Sequence, residues 1–179
     1  MSQRLSMWAA TLAVASALVM PAAVNATAAA APMCAADSLS LSTGPYGAPG
    51  DSAQMHFAVI LTNISSQSCT LRGYPGVDLV GSADQQNGPT YSLPRRSGAP
   101  QPLTIAPGAS ASSRLTFLPT PDGWVPRTIV VTPPDTTAQL ETPWIPGGIA
   151  VLRQDGATHP GTYIGPLVAS SDVAAAQDQ

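Results

Sequence analysis

Two histidines (His56 and His159), two cysteines (Cys34 and Cys69) and an adjacent arginine pair, Arg95-Arg96, are the residues of this 179-residue chain whose types could do chemistry. Nucleophilic catalysis needs a base beside a nucleophile and a third group to orient that base. His56 lies on an alternating apolar run and His159 in a proline-glycine stretch, and nothing in their spacing brings a serine and an acid to either. There is no G-x-S-x-G elbow, no H-E-x-x-H pair and no phosphate-cradling glycine loop. The acids stand singly, and Asp37, Asp51, Asp84, Asp122, Asp135 and Asp155 fall in turn-like stretches. The chain reads as non-enzymatic, with no catalytic residue and no cofactor.

Soft metal ligands are also present. Met33, Met55, His56 and His159 offer thioether and imidazole groups, which suit copper. An alternation of period two, however, puts Met55 and His56 on opposite faces of one strand. No metal site is therefore assigned, and an extracytoplasmic copper carrier using His56 and His159 with methionine stands as the alternative reading.

The remaining candidates form an interaction surface. Tyr91, Arg95, Arg96, Trp124 and Trp144 fall in polar, proline-rich stretches, and aromatic and arginine side chains are enriched where proteins meet partners. A second reading stays open for the two tryptophans, which could instead be buried as packing. An envelope polymer, a surface protein or a small ligand fits such a surface. Nucleic acid does not. The chain has no lysine, and without Arg4 six arginines face ten acids, so the basic footprint is absent.

These residues must be positioned by an exported, strand-rich chain. Arg4 followed by the uncharged run 7–20, Pro21 and small residues reads as a signal peptide over residues 1–28. The apolar run is shorter than a spanning helix needs, so no stable membrane span is expected after cleavage. Secretion or retention in the cell envelope follows, and two cysteines in an exported chain read as one disulfide, Cys34 to Cys69.

Residues 38–42 and 55–62 alternate apolar and polar, with Met55, Phe57, Val59 and Leu61 on the core side. Val77 with Leu79, Leu103 with Ile105, Leu115 with Phe117 and Ile129 with Val131 repeat the pattern, and residues 149–153 and 163–168 are later candidates. Nineteen prolines and fifteen glycines punctuate these runs. Residues 81–102, 119–126 and 133–148 read as loops. One all-β domain, a sandwich or barrel over residues 34–168, is expected, with a fraying tail over 169–179.

The stretch from Leu61 to Leu79, LTNISSQSCTLRGYPGVDL, carries a resemblance. With Gly47-Ala48-Pro49-Gly50 before it, and Pro107-Gly108 and Pro133-Pro134 after it, the chain resembles the domain of unknown function 4232 family, secreted or surface-anchored proteins that are mostly actinobacterial. The resemblance implies an immunoglobulin-like antiparallel β-sandwich and a disulfide using Cys34 and Cys69, and it implies no activity. Members often carry a second cysteine pair in the C-terminal half, which this chain lacks. In the motif itself, Asn63 ends a strand and its side chain can bond a turn, while Tyr74 before Pro75 lies extended. The Asn63-Ile64-Ser65 sequon reads as that turn.

Overall fold

The computed structural model describes residues 30–46, 53–145 and 147–170. The segment expected to be a signal peptide, the motif residues Gly47-Ala48-Pro49-Gly50 and the expected tail from residue 171 onward lie outside the described residues. Among the described residues eleven strands follow a 3-10 turn at Ala36–Ser38, and no α-helix occurs. β1 (Leu39–Thr43), β2 (Met55–Asn63), β7 (Ser110–Phe117) and β11 (Tyr163–Ala169) form one antiparallel sheet in the order β1-β2-β7-β11. The second antiparallel sheet has the order β10-β9-β4-β5, from Leu140–Pro143, Pro126–Thr132, Gly76–Gly81 and Thr90–Ser92. β3 (Cys69–Leu71) pairs with β6 (Leu103–Ile105) as a separate ribbon.

The long runs behave as their alternation dictates. Met55, Phe57, Val59 and Leu61 of β2 are all buried, and they lie in register with Phe117, Leu115, Ser113 and Ala111 of β7. Val77 and Leu79 of β4 and Ile129 and Val131 of β9 supply the other sheet's share of the same apolar cluster. Leucine-sized side chains buried this way stabilise the fold by roughly 1.5–3 kcal/mol each.

The Cys34–Cys69 disulfide is present and ties the start of the described chain to β3. Asn63 closes β2 and is fully buried. Its amide donates to the carbonyls of Gln67 and Ile105, and its Oδ1 accepts from the backbone and hydroxyl of Ser65. Every polar atom of this side chain is thus bonded, within the turn into β3 and across to β6, in keeping with the turn reading of the sequon.

Three stretches read as loops contain strands instead. Tyr91 is buried at the centre of β5, facing Leu79 across the pair. β10 pairs with β9 through Leu140, Glu141, Thr142 and Pro143. Residues 119–124 form β8, which joins its neighbours only through bridges from Pro119 and Trp124 to Val151. Pro119 and Pro121 have no amide hydrogen to give a ladder, so the run can pair only sporadically and at an edge. The expected strand at 149–153 is reduced to those same bridges at Val151.

Candidate functional site

After β5 the chain crosses to the outer edge of the first sheet. There Ile164 N–H donates to the Pro94 carbonyl at 3.0 Å, and Arg96 N–H donates to the Ile164 carbonyl at 2.9 Å. Arg95 forms a parallel bridge with Ile164. The arginine pair is therefore laid down as a short added strand along β11, not hung in a solvated loop. Consecutive residues of an extended chain point to opposite sides. Arg95 accordingly turns to Tyr74, with its guanidinium carbon 5.9 Å from the ring centroid. Arg96 turns to Tyr163, at 5.2 Å from the centroid, and its Nη1 donates to the tyrosine hydroxyl at 2.9 Å.

A break in register between Ile164 and Leu167 bends β11 beside this pair. Ser113 fixes the bend by donating its hydroxyl to the Gly165 carbonyl at 2.6 Å. Such bulges re-aim neighbouring side chains. Two shallow depressions share Arg96, Ser97 and Tyr163. One, of about 270 Å³, runs past Pro166 and Val168 to Arg114. The other, of about 460 Å³, runs past Pro94, Arg95 and Pro160 to His159. Together they make one groove with arginines along it, a partly apolar floor, and no acid among its lining residues.

The electrostatics set this groove apart. Among the described residues the one salt bridge joins Arg153 to Asp155, at 2.9 Å. Hydrogen bonding to Arg153 holds the Asp155 carboxyl below the usual carboxylate range, against the small opposing effect of its burial. Arg95 and Arg96 are exposed, and no carboxylate among the described residues neutralises them. A guanidinium stacked on a ring keeps its N–H edges free for a planar or tetrahedral oxyanion.

Of the five residues read as an interaction surface, the structure brings Arg95 and Arg96 together and removes the other three. Tyr91, Trp124 and Trp144 are buried. Trp144 packs edge-on against Phe57 and Phe117, at 5.7 and 5.2 Å, and its Nε1 donates to the Ile149 carbonyl. Trp124 donates to the Ser82 carbonyl, so both indoles satisfy their one polar atom and can enter the core. Between Trp124 and Tyr91 lies the guanidinium of Arg153, 4.9 and 5.0 Å from the two rings.

The copper ligands do not converge. Met55 points into the core, His56 lies on the opposite face of β2, and Met33 pairs beside Thr70 near the far end of that strand. That separation is on the order of 25 Å at the usual strand rise. His159 instead lines the arginine groove. Among the described residues no group of three or more His, Cys, Asp or Glu side chains gathers as a metal site. Tyr163, Tyr74 and Arg114 escaped the sequence reading as site residues. The tyrosine contacts with the arginine pair, and the depression that Arg114 shares with Arg96, join elements far apart in the chain, and only the doubled arginine signalled the place.

A family model described as Domain of unknown function (DUF4232) matches residues 34–164. No curated protein and no solved structure is a significant match to the chain.

Proposed function

We propose that this chain, which belongs to the DUF4232 family, is an exported, non-enzymatic binding module whose contact surface is the Arg95-Arg96 groove. The observation that carries the reading is the arginine pair itself, stacked on Tyr74 and Tyr163 with no acidic partner among the described residues. Arginine and tyrosine side chains are enriched where proteins meet partners, and this pair is exposed beside a depression. Export is supported by the apolar N-terminal run and by the disulfide, which persists in oxidising compartments. No helix among the described residues is long and apolar enough to cross a membrane.

An immunoglobulin-like sandwich is the architecture we infer. The orders β1-β2-β7 and β10-β9-β4-β5 correspond to the A-B-E and G-F-C-C′ arrangements of that fold. In this assignment β11 occupies the place beside β7 that strand D would take. The groove then lies along the edge of the sheet that the C-terminal strand completes.

The test is affinity capture from the native envelope, with the purified protein as bait beside its Arg95→Gln/Arg96→Gln variant. The module reading expects a specific polymer or partner on the wild type and its loss from the double variant. Equal recovery on both would place the contact surface elsewhere.

A further inference from the structure

Arg114 lines only the first of the two depressions, where its Nε and Nη2 are buried and its side chain is engaged within the fold. The donors open to a ligand gather in the second, of about 460 Å³. Arg95 and Arg96 leave their segment on opposite sides, yet both line this one depression, with Ser97 beside them. Thr158 and His159, from the bend ahead of β11, line it as well. All five residues are exposed, and no acid is among the described lining residues. Arg96 commits its Nη1 to the Tyr163 hydroxyl, which fixes the guanidinium over that ring. Neither arginine is in a salt bridge among the described residues.

The number of donors selects among anions. A carboxylate presents two oxygens and a single charge. A phosphate monoester presents three acceptor oxygens and a charge of about −1.5 to −2 at pH 7. Two guanidinium groups, two hydroxyls and an imidazole match the second. Resting on the binding-module reading, we propose that this depression binds a phosphate monoester. Arg95 and Arg96 take the phosphate oxygens by charge-assisted hydrogen bonds, and Ser97, Thr158 and His159 donate to those that remain. The depression falls in the size range of small-molecule sites, so the group that bears the phosphate has room against Pro94 and Pro160. A phosphorylated small molecule and a lipid headgroup share this chemistry.

Calorimetric titration of the purified protein tests this with glucose 6-phosphate and glycerol 3-phosphate, against glucose, glycerol and glucuronate. Vesicles of phosphatidylcholine with and without phosphatidate form a second arm. A soluble ester binding above its parent alcohol identifies a small phosphorylated molecule, and binding to the phosphatidate vesicles alone identifies a lipid headgroup. Either result supports the proposal, and excess inorganic phosphate should compete in both arms. Arg95→Gln/Arg96→Gln should lose about tenfold or more in affinity, as charge-assisted contacts imply. Thr158→Ala/His159→Gln, on the separate segment, should lose about threefold or more. Arg72→Gln, an exposed arginine outside the depression, should lose nothing. An unchanged thermal midpoint shows that each variant remains folded.

Glucuronate binding as tightly as glucose 6-phosphate would overturn the proposal, because a single carboxylate would then suffice. So would binding that inorganic phosphate fails to displace, or binding indifferent to Thr158→Ala/His159→Gln. Failure of both the esters and the phosphatidate vesicles to bind overturns the phosphate class. In that event envelope capture still dependent on Arg95 and Arg96 leaves the module reading standing, and capture indifferent to them ends both.

Discussion

Replacing Arg153 should show what secures the half of the domain that has no disulfide. Its side chain is 7 % exposed, between the rings of Tyr91 and Trp124. Nη1 donates to the Gly88 carbonyl at 2.7 Å and Nη2 to the Thr90 carbonyl at 2.9 Å, while Nε and Nη2 grip Asp155. Two ring contacts contribute about 1 kcal/mol each where partly desolvated. Two main-chain acceptors left without their donor cost about 1 kcal/mol apiece. Arg153→Leu should therefore lower stability by about 3–4 kcal/mol, read from urea denaturation followed by tryptophan fluorescence. Arg153→Lys keeps the charge but loses the planar fork, and should recover about half of that loss.

Asp155 should matter much less. Its carboxylate is 56 % exposed, and exposed pairs are worth at most about 1 kcal/mol. Its pKa is depressed in the fold, so its contribution is present above the ordinary carboxylate value and is lost as pH falls through the lowered one. The difference between wild type and Asp155→Asn should therefore fade in acid. If Asp155→Asn costs as much as Arg153→Leu, the ion pair and not the ring sandwich is the fastening. A cost below about 1 kcal/mol for Arg153→Leu would refute the reasoning altogether.

Removing the bridge with Cys34→Ala/Cys69→Ala opens a crosslink spanning 35 positions, and the chain-entropy relation puts the loss at about 4 kcal/mol, measurable as a shift in urea midpoint. Asn63→Ala strands the Gln67 and Ile105 carbonyls, and should cost about 2–4 kcal/mol in the same assay. Trp144→Ala empties the space between Phe57 and Phe117; a loss of about 3–5 kcal/mol is expected, and a loss under 1 would mean the ring is not core.

Local alternation made the long strands legible. Met55, Phe57, Val59 and Leu61 announce both the strand and its buried face, and two cysteines leave one pairing within the chain. The short strands were hidden for identifiable reasons. β5 offers a single buried side chain, Tyr91, between polar neighbours, which is less than one readable period. Pro119 and Pro121 in β8 and Pro143 in β10 carry turn signals although their backbones are extended. Trp124 and Trp144 stand among prolines and look exposed. Their burial depends on the carbonyls of Ser82 and Ile149, and the first lies 42 positions away. The groove was half legible. Arg95-Arg96 stands out as a doublet in a chain poor in charge, but its placement along β11 and on Tyr163, 67 positions on, is a long-range pairing with no local pattern.

Amide-resolved NMR of the purified protein during titration with the material it captures from the envelope tests the groove most directly. The shifts should concentrate at Arg95, Arg96 and Ser97, at Thr158 and His159, and at Tyr163 through Gly165. Shifts confined to the β3–β6 ribbon or to the turn at Asn63, with those amides unmoved, would contradict the assignment of the binding surface.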